Sequence, residues 1–372
     1  MRTFAVLPLT DHFDGLLKNL NAPEDRQSLA EDLPPIVRDH LARSIVLTTV
    51  GEPPVSRLAG SYGRRTVSGD IKDVDVLVFV DAAYAGKAAE VVLDDLAAAL
   101  KDLEVEGYEK GEIKTNRKQR RSCHVEFRHP GSDTPSFHLD VAPVIRPGED
   151  PAAILQIPDR VWTRWVPTQP LGYGKRLSEV NADWKDEVVP MIRFFKRIKA
   201  HNMLTGRPKS YWSEVMVYRL FADGILQKTK PLGGSFSKAE RMLQVLQAIR
   251  IKYGQNLALG LEPPSILDPC LGHNIAFAWP MEDYTRWVKM ISNAIATIET
   301  IEDSIDRAES IKAWQKVFGE DMFAPDEEAV AAEGERAKAI AAAAKIAGGV
   351  IAPAATTGKG IVVPAHLAYG DR

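Results

Sequence analysis

The chain contains only two cysteines, Cys123 and Cys270, among its 372 residues. They form no C-x-x-C pair, so the sequence offers neither a disulfide framework nor the usual cysteine pattern of a zinc site. It also has no run of 18 apolar residues, which excludes a helix long enough to span a bilayer. The first residues lack the basic start and long apolar stretch of a signal peptide, and we therefore expect a cytoplasmic protein.

The chain also has a small net charge. Its 47 Lys and Arg residues against 50 Asp and Glu residues give a net charge of −3. A protein that coats long nucleic acid needs a large positive surface, so we expect no obligatory long nucleic-acid partner. A length of 372 residues exceeds what one compact core usually holds, and predicts two domains with additional segments.

The hydrophobic pattern predicts a mixed first half. Residues 10–48 have helical spacing, with a predicted break at Pro34-Pro35. A helix is predicted over 85–101 from its propensity and period. Apolar residues alternate with polar ones, as strands require, in three segments: 74–80, 124–129 and 137–145. These elements predict a mixed sheet with crossing helices.

The second half is predicted to be helical. Residues 150–175, rich in Pro, Trp and Gly, are interpreted as a linker or wrap between domains. Helical spacing then recurs in four segments: 176–204, 210–228, 236–253 and 283–318. Beyond residue 326 the composition shifts to Ala, Gly and Thr, which predicts a low-complexity helix over 329–347 and a flexible tail over 348–372.

The most informative stretch is GSYGRRTVSGDIKDVDVLVFVD, residues 60–81. Asp73 and Asp75 begin a predicted strand and project to the same face, where their charges repel unless a cation lies between them. Asp140 lies within the apolar strand FHLDVAP, where a lone buried carboxylate would be costly, and is a candidate third ligand. Three oxygen ligands favour Mg²⁺ or Mn²⁺, and a pair of such ions can clamp the attacking and leaving oxygens of a displacement.

Gly60-Ser61 supplies a candidate phosphate site. Glycine lets a phosphate approach the backbone closely, and the amides leading into a helix expected near residues 62–66 can donate to its oxygens. A lone D-x-D or Gly-Ser is usually a solvated turn. Their combination at this spacing, with a later strand aspartate, indicates transfer of a nucleotide from a triphosphate.

The motifs GSYGRRT, DVDVLV and LDVAPV resemble the signature of the polymerase-β-type nucleotidyltransferase superfamily. Over roughly residues 10–320 the chain resembles the cGAS/DncV-like nucleotidyltransferases (CD-NTases), which make cyclic oligonucleotide signals in bacterial antiphage defence (CBASS). This resemblance implies an α+β fold. A nucleotidyltransferase palm with N-terminal helices would occupy residues 1–160, a helical domain closing the groove 161–325, and a flexible tail 326–372.

The same resemblance implies roles for the aspartates and the turn. Asp73 and Asp75 would bind both of two Mg²⁺ ions, with Mn²⁺ as a possible substitute. Asp140 would bind one ion and help activate the acceptor 3′-hydroxyl, and Ser61 beside Gly60 would contact the β- or γ-phosphate of the donor.

The helical half carries further family-like motifs. MIRFFKRIKAH resembles the helix with a phosphate-binding lysine, here Lys196. KSYWSEVMVYRLF resembles the Ser-Tyr helix start, in which Ser210 would contact the triphosphate and Tyr211 would stack on a base or pack in the core. ILDPCLGHNIA resembles the family's "DP" loop followed by Asn.

Several charged segments leave alternatives open. Arg64 or Arg65 either points at phosphate or forms an ion pair with Asp70. The basic run at 110–129 is either a solvated face or part of the groove that attracts nucleotide phosphates. Two histidines of this run, His124 and His129, and His138 of the next predicted strand are interpreted as strand residues rather than zinc ligands.

The tail has two interpretations. It is either a disordered end or a segment on which a regulatory protein acts, because some CD-NTases are regulated by attachment of their C-terminus to other molecules. Those relatives end near a small residue, whereas this chain ends in Asp371-Arg372, which argues against conjugation of the unprocessed chain.

Three functions are compared. The first is a cyclic oligonucleotide synthase that uses ATP and other ribonucleoside triphosphates and releases pyrophosphate. The second is an enzyme that tails RNA, completes tRNA ends, or modifies a small molecule or protein. The long helical half with Lys196 and Ser210-Tyr211 favours the first. The third, a catalytically silent nucleotide-binding protein, is disfavoured because all three candidate metal carboxylates are present.

Overall fold

The computed structural model describes residues 6–50, 56–71, 73–108, 113–128, 135–148, 153–231 and 233–326. The predictions for His129, the helix at 329–347 and the tail at 348–372 lie outside these residues. Among the described residues, no helix is both long and apolar enough to cross a membrane. Both cysteines are free thiols.

Five strands form one mixed sheet in the order β1-β2-β5-β4-β3. The strands are β1 (Ser56–Leu58), β2 (Val74–Phe79), β3 (Ile113–Lys118), β4 (Cys123–Arg128) and β5 (Pro135–Val144). Strands β2 and β5 are parallel, and the other neighbours are antiparallel. The basic edge strand β3 was not among the predicted strands, since its charged sequence lacks apolar alternation; charge is a usual feature of edge strands.

The helices surround this sheet and form the second half. They are α1 (Thr10–Asn19), α2 (Glu24–Ala42), α3 (Gly60–Gly63), α4 (Ala89–Leu100), α5 (Pro170–Asp183), α6 (Val188–Asn202), α7 (Ser210–Ala222), α8 (Lys238–Ile249), α9 (Gln255–Ala258), α10 (Met281–Glu299) and α11 (Arg307–Phe318). A 3₁₀ turn spans Ala82–Gly86 and a π-helix Arg250–Gly254. The α+β fold predicted from the sequence is confirmed.

The period of two in β2 and β5 directs alternate side chains to opposite faces, one apolar and one that carries both aspartates as well as apolar residues such as Leu77 and Ala142. Val74, Val76 and Val78 join the core that α2 and α4 cover. Asp75 lies between them in sequence and projects to the opposite face, as does Asp140 on β5. Burial of the valines thus fixes the strand's register and with it the direction of the carboxylates.

A second, larger core lies in the helical half. Phe13 of α1 contributes to it, with its ring 5.0 Å from Trp314 and 5.6 Å from Phe194 in edge-to-face contacts. Helix α1 therefore packs with the late helices, whereas α2 packs on the sheet. The division of the chain near residue 160 stays a prediction.

The predicted helix break at Pro34-Pro35 is wrong. Helix α2 continues through both prolines. The break in the helical segment lies earlier, between the end of α1 at Asn19 and the start of α2 at Glu24. An interior proline costs a helix about 3 kcal/mol. Leu33, Val37 and Leu41 are each no more than 2% exposed, and burying each such side chain contributes about 1.5–3 kcal/mol. Packing against the sheet therefore holds the helix together.

The predicted linker at 150–175 is also wrong. It contains the hairpin strands β6 (Leu155–Asp159) and β7 (Arg164–Thr168), and α5 begins directly afterwards. Leu155, Ile157 and Val166 are buried in a third core with apolar residues of β2 and β5: Leu77, Phe79, Ala142 and Val144. The short alternations in LQIPD and RWVPT were the signal for these strands, and the neighbouring prolines and tryptophans obscured it.

Candidate active site

Gly60 occupies a position in the site where a side chain does not fit. Its φ is +60°, and a Cβ placed on it would lie 1.7 Å from Asp75 Oδ2. Any side chain here would displace the carboxylate. The helix expected near residues 62–66 is instead the single turn α3, which begins at Gly60 itself. The turn and the strand carboxylate are therefore built against each other.

Strand pairing brings the predicted carboxylates together. Asp75 of β2 lies directly opposite Asp140 of the parallel strand β5. Asp73 precedes β2 and is exposed. Burial first, and then repulsion from Asp73 and Asp140, raise the pKa of Asp75 from 3.8 to about 6, while Arg64 opposes the shift. Burial and like charges disfavour the ionised form of a carboxylate, and a nearby cation would favour it.

Asp140 is held from the β4 side. Its Oδ1 accepts hydrogen bonds from Gln119 Nε2 at 2.9 Å and from His124 Nδ1 at 2.6 Å. The side chain is 17% exposed. These donors fix the orientation of the carboxylate at the sheet surface, so its position does not depend on a bound ion alone.

Two clefts adjoin these carboxylates, with volumes of about 630 Å³ and 450 Å³. Ser61, Asp73, Lys196 and Ser210 line both of them. All nine sequence-predicted site residues line the larger cleft: Gly60, Ser61, Arg64, Asp73, Asp75, Asp140, Lys196, Ser210 and Tyr211. The fold thus brings together residues from both halves of the chain, while their individual roles stay predictions.

Lys196 and Arg64 meet at a carboxylate that sequence reasoning missed. Glu214 of α7 is 0% exposed and lies 2.6 Å from Arg64 Nε and 2.8 Å from Lys196 Nζ. Thr66 Oγ1 also donates to it at 2.8 Å, and Lys196 donates to the Thr66 carbonyl at 2.9 Å. Burial alone would raise the pKa of Glu214, but Lys196 and Arg64 outweigh it and lower that pKa.

The arginine beside the glycine turn has a protein partner other than Asp70, while its contact with phosphate stays a prediction. Arg64 pairs with Glu214, and its guanidinium carbon lies 5.2 Å from the Tyr173 ring and 5.5 Å from the Tyr211 ring. Asp70 instead lies 3.7 Å from Arg26. The alternative of an Arg64–Asp70 ion pair is therefore wrong.

Tyr211 is oriented by the loop that contains the predicted "DP" motif. Its hydroxyl donates to Asp268 Oδ2 at 2.9 Å, and its ring contacts Tyr173 edge to face at 5.7 Å. Asp268 Oδ1 in turn accepts from the amides of Cys270 and Leu271. Burial and the neighbouring Asp268 raise the pKa of Tyr211, so the phenol stays protonated and donates. Asp268 was not among the predicted site residues, although its motif was recognised.

Two arginines of the basic run are held by one carboxylate near the cleft. Arg120 and Arg121 both hydrogen-bond the fully buried Asp159 at the end of β6, and Arg121 lines the larger cleft. The arginines are 44% and 39% exposed. Arg121 therefore fits the groove interpretation, whereas Arg120, which lies 4.6 Å from the Trp162 ring, fits a surface role.

Two of the three strand histidines lie next to each other. His124 Nε2 is 3.0 Å from His138 Nδ1, and the two rings are 4.6 Å apart. Glu126 lies on the same face, 3.8 Å from His124. Burial, followed by the neighbouring His124, lowers the pKa of His138, which favours its neutral form.

Comparison with known proteins agrees with this geometry. Residues 7–181 match the model of the Second Messenger Oligonucleotide or Dinucleotide Synthetase domain, and this range contains the glycine turn and all three aspartates. The chain therefore contains a region similar to this synthetase domain, and its fold is shared by solved CD-NTases. The family resemblance and the enzyme class predicted from the motifs are thereby confirmed. No curated protein matches the chain in sequence.

Solved structures of CD-NTases share the fold of this chain. CdnG of Bradyrhizobium diazoefficiens, in complex with GTP, has a TM-score of 0.61 and 16% identity, over 85% of this chain and 96% of that one. CdnC of E. coli MS115-1 with ATP has a TM-score of 0.62 and 16% identity, over 85% and 98%. Vibrio cholerae DncV, a cyclic AMP-GMP synthase with a linear intermediate, has a TM-score of 0.51 and 13% identity, over 84% and 86%.

Proposed function

We propose that this chain joins ribonucleoside triphosphates into a cyclic di- or trinucleotide that signals in antiphage defence. The observation that carries the proposal is the pairing of Asp75 with Asp140 in register, with Asp73 beside them, at the glycine turn of a cleft. The solved relatives named above contain GTP, ATP or a linear dinucleotide intermediate. Because such triphosphates are cytoplasmic metabolites, we also propose a cytoplasmic location.

The carboxylates fit a pair of Mg²⁺ ions. Burial and then repulsion from Asp73 and Asp140 raise the pKa of Asp75 to about 6; a cation would relieve this repulsion, and oxygen ligands suit Mg²⁺ or Mn²⁺. Asp73, Asp75 and Asp140 are the residues that would hold the ions. Bound ions would neutralise charge on the transferring phosphoryl group and on the attacking and leaving oxygens.

The protein's own groups would position the substrates. Gly60 keeps the backbone of the turn against Asp75, and Ser61 would donate to the donor triphosphate. Asp140, oriented by Gln119 and His124, would accept the proton of the acceptor hydroxyl.

The helical half would hold the rest of the donor. Ser210 at the start of α7 would donate to the same triphosphate as Ser61, and Tyr211, fixed by Asp268, would stack on a base. Lys196 lines both clefts but is bound to Glu214, so a triphosphate would compete with Glu214 for this ammonium group. Arg64 would act on the substrate through its contact with Tyr211.

We further propose a regulatory protein partner. The support is the sequence resemblance together with the solved complex of CdnC with a HORMA protein, whose CdnC chain has a TM-score of 0.62 and 16% identity. The segment on which such a partner would act, residues 326–372, lies almost entirely outside the described residues.

The test is a product analysis. Purified protein is incubated with four labelled ribonucleoside triphosphates and Mg²⁺, treated with phosphatase, and analysed by mass spectrometry, with Asp75→Asn as the control. A phosphatase-resistant cyclic product made only by the wild-type protein supports the proposal. Linear tails, or label on RNA, protein or a small molecule, would contradict it and support the alternative transferase. If no product forms, binding of non-hydrolysable ATP separates a missing activator from an inactive site.

A further inference from the structure

We propose that His124, Glu126 and His138 form a binding site for a zinc-like transition-metal ion, distinct from the three-aspartate site. The side chains lie on one face of the sheet, where Glu126 and His138 pair in register across β4 and β5. One ligand atom from each lies within 4.8 Å of the other two. The proposal revises the sequence interpretation of these histidines as strand residues without a metal role, and does not depend on the proposed function.

The distances suit a tetrahedral metal ion. Two imidazole nitrogens bound to one Zn²⁺ at about 2.05 Å lie roughly 3.3 Å apart. The Nε2 atom of His124 and the Nδ1 atom of His138 are 3.0 Å apart, and Glu126 Oε1 is 3.8 Å from the same Nε2 atom. All three ligand atoms lie within 4.8 Å of one another, so side-chain shifts of at most roughly 1.5 Å would complete a three-ligand site with a fourth position for water.

The surroundings of His124 leave one of its ring nitrogens facing the other two side chains. His124 Nδ1 lies 2.6 Å from Asp140 Oδ1 and 3.1 Å from Gln119 Nε2. When the proton is on Nδ1 and is donated to Asp140, the lone pair lies on Nε2, which faces His138 and Glu126. A carboxylate behind a metal-bound imidazole is the usual outer partner of such a site.

Burial and chemistry favour a transition metal over Mg²⁺. His124 is 8% exposed and the Glu126 side chain 12% exposed. Arg128 lies 3.2 Å from Glu126 Oε2, while Oε1 is the oxygen nearer to His124. Two imidazoles with one carboxylate match Zn²⁺, whereas Mg²⁺ prefers oxygen ligands alone.

The experiment measures Zn²⁺ binding by competition with a chromophoric chelator, in excess Mg²⁺ to occupy the aspartates. We expect one equivalent of Zn²⁺, retained in Asp75→Asn. His138→Ala and the isosteric Glu126→Gln should each weaken binding by at least about tenfold. His201→Ala removes an exposed histidine on α6 and should bind Zn²⁺ like the wild-type protein. Circular dichroism checks that each variant is folded.

A second readout identifies the ligands. Co²⁺ added to the wild-type protein should give the visible absorption of a tetrahedral site with imidazole ligands, absent in His138→Ala. No Zn²⁺ bound at equimolar concentration would overturn the proposal, leaving the histidines as a hydrogen-bonded pair. Binding that is lost in Asp75→Asn but unchanged in His138→Ala would also overturn it, because the aspartates would then be the ligands.

Discussion

The two sides of the cleft hold their carboxylates in opposite electrostatic settings. On the sheet side, burial and the neighbouring Asp73 and Asp140 raise the pKa of Asp75 to about 6. On the helical side, Glu214 is more deeply buried, yet Lys196 and Arg64 hold its pKa below the usual range. In the proposed function the first group would gain a cation from solution, whereas the second already has two cationic side chains beside it. Deep burial of a carboxylate therefore does not by itself mark a candidate metal site; its neighbours do.

The largest effect is expected on the sheet side. Asp75→Asn should reduce pyrophosphate release by about a thousandfold or more, because electrostatic stabilisation of the transferring phosphoryl group is lost. Thermal unfolding without Mg²⁺ should occur at an equal or higher temperature than in the wild-type protein, because repulsion from Asp73 and Asp140 is removed. A folded variant that keeps more than a tenth of the wild-type rate would contradict the metal assignment.

On the helical side, in contrast, neutralising the carboxylate is expected to destabilise the fold. Glu214→Gln keeps the shape but leaves Lys196 and Arg64 buried without a counter-charge, which should lower the free energy of unfolding by about 3–5 kcal/mol. Urea unfolding measures this. Glu179→Gln is the matched control, since the exposed Glu179–Lys175 pair should contribute at most about 1 kcal/mol. Equal stability of the two variants would mean that Glu214 does not hold the halves together.

Asp159 is a buried carboxylate that is not among the proposed catalytic residues. Hydrogen bonds from Arg120 and Arg121 outweigh the effect of burial and lower the pKa of Asp159 from 3.8 to about 2. A lowered folded-state pKa stabilises the fold above the unfolded value, and this contribution is lost as the pH falls from about 4 towards 2. Asp159→Asn should cost about 1–3 kcal/mol at neutral pH and flatten the acid dependence of stability. Unfolding curves across this pH range that match those of the wild-type protein would contradict the assignment.

The smallest expected effect is the change in the free energy of unfolding when Mg²⁺ is added. Mg²⁺ at ten times its dissociation constant should raise the free energy of unfolding by about 1.4 kcal/mol. Differential scanning fluorimetry should show this shift in the wild-type protein and in Glu214→Gln, but not in Asp75→Asn. A Mg²⁺ shift that survives in Asp75→Asn would place the ion elsewhere.

The sequence predicted the sheet side better than the helical side, for a physical reason. Asp73 and Asp75 are two residues apart at the start of β2, and Gly60 precedes them closely, so local spacing carries the information. Glu214 meets Arg64 and Thr66 only because α7 packs on the glycine turn, 148 residues away from Thr66 in the chain. No local pattern encodes such a contact.

The same reasoning explains the errors in the fold. Local propensity predicted a break at Pro34-Pro35, whereas tertiary packing of α2 on the sheet decides the outcome. The hairpin β6–β7 was missed because its strands have five residues each and depend on Asp159 and the arginines of another loop.

The most direct test of the account is Mn²⁺ binding by electron paramagnetic resonance in the presence of a non-hydrolysable ATP analogue. His138→Ala serves as the background, so that the histidine cluster does not contribute. The account predicts that the His138→Ala protein binds two Mn²⁺ ions. The double variant with Asp75→Asn should lose this binding, and the double variant with Glu214→Gln should retain it. Equal Mn²⁺ binding with and without Asp75→Asn would contradict the claim that the carboxylates of β2 and β5 form the metal site.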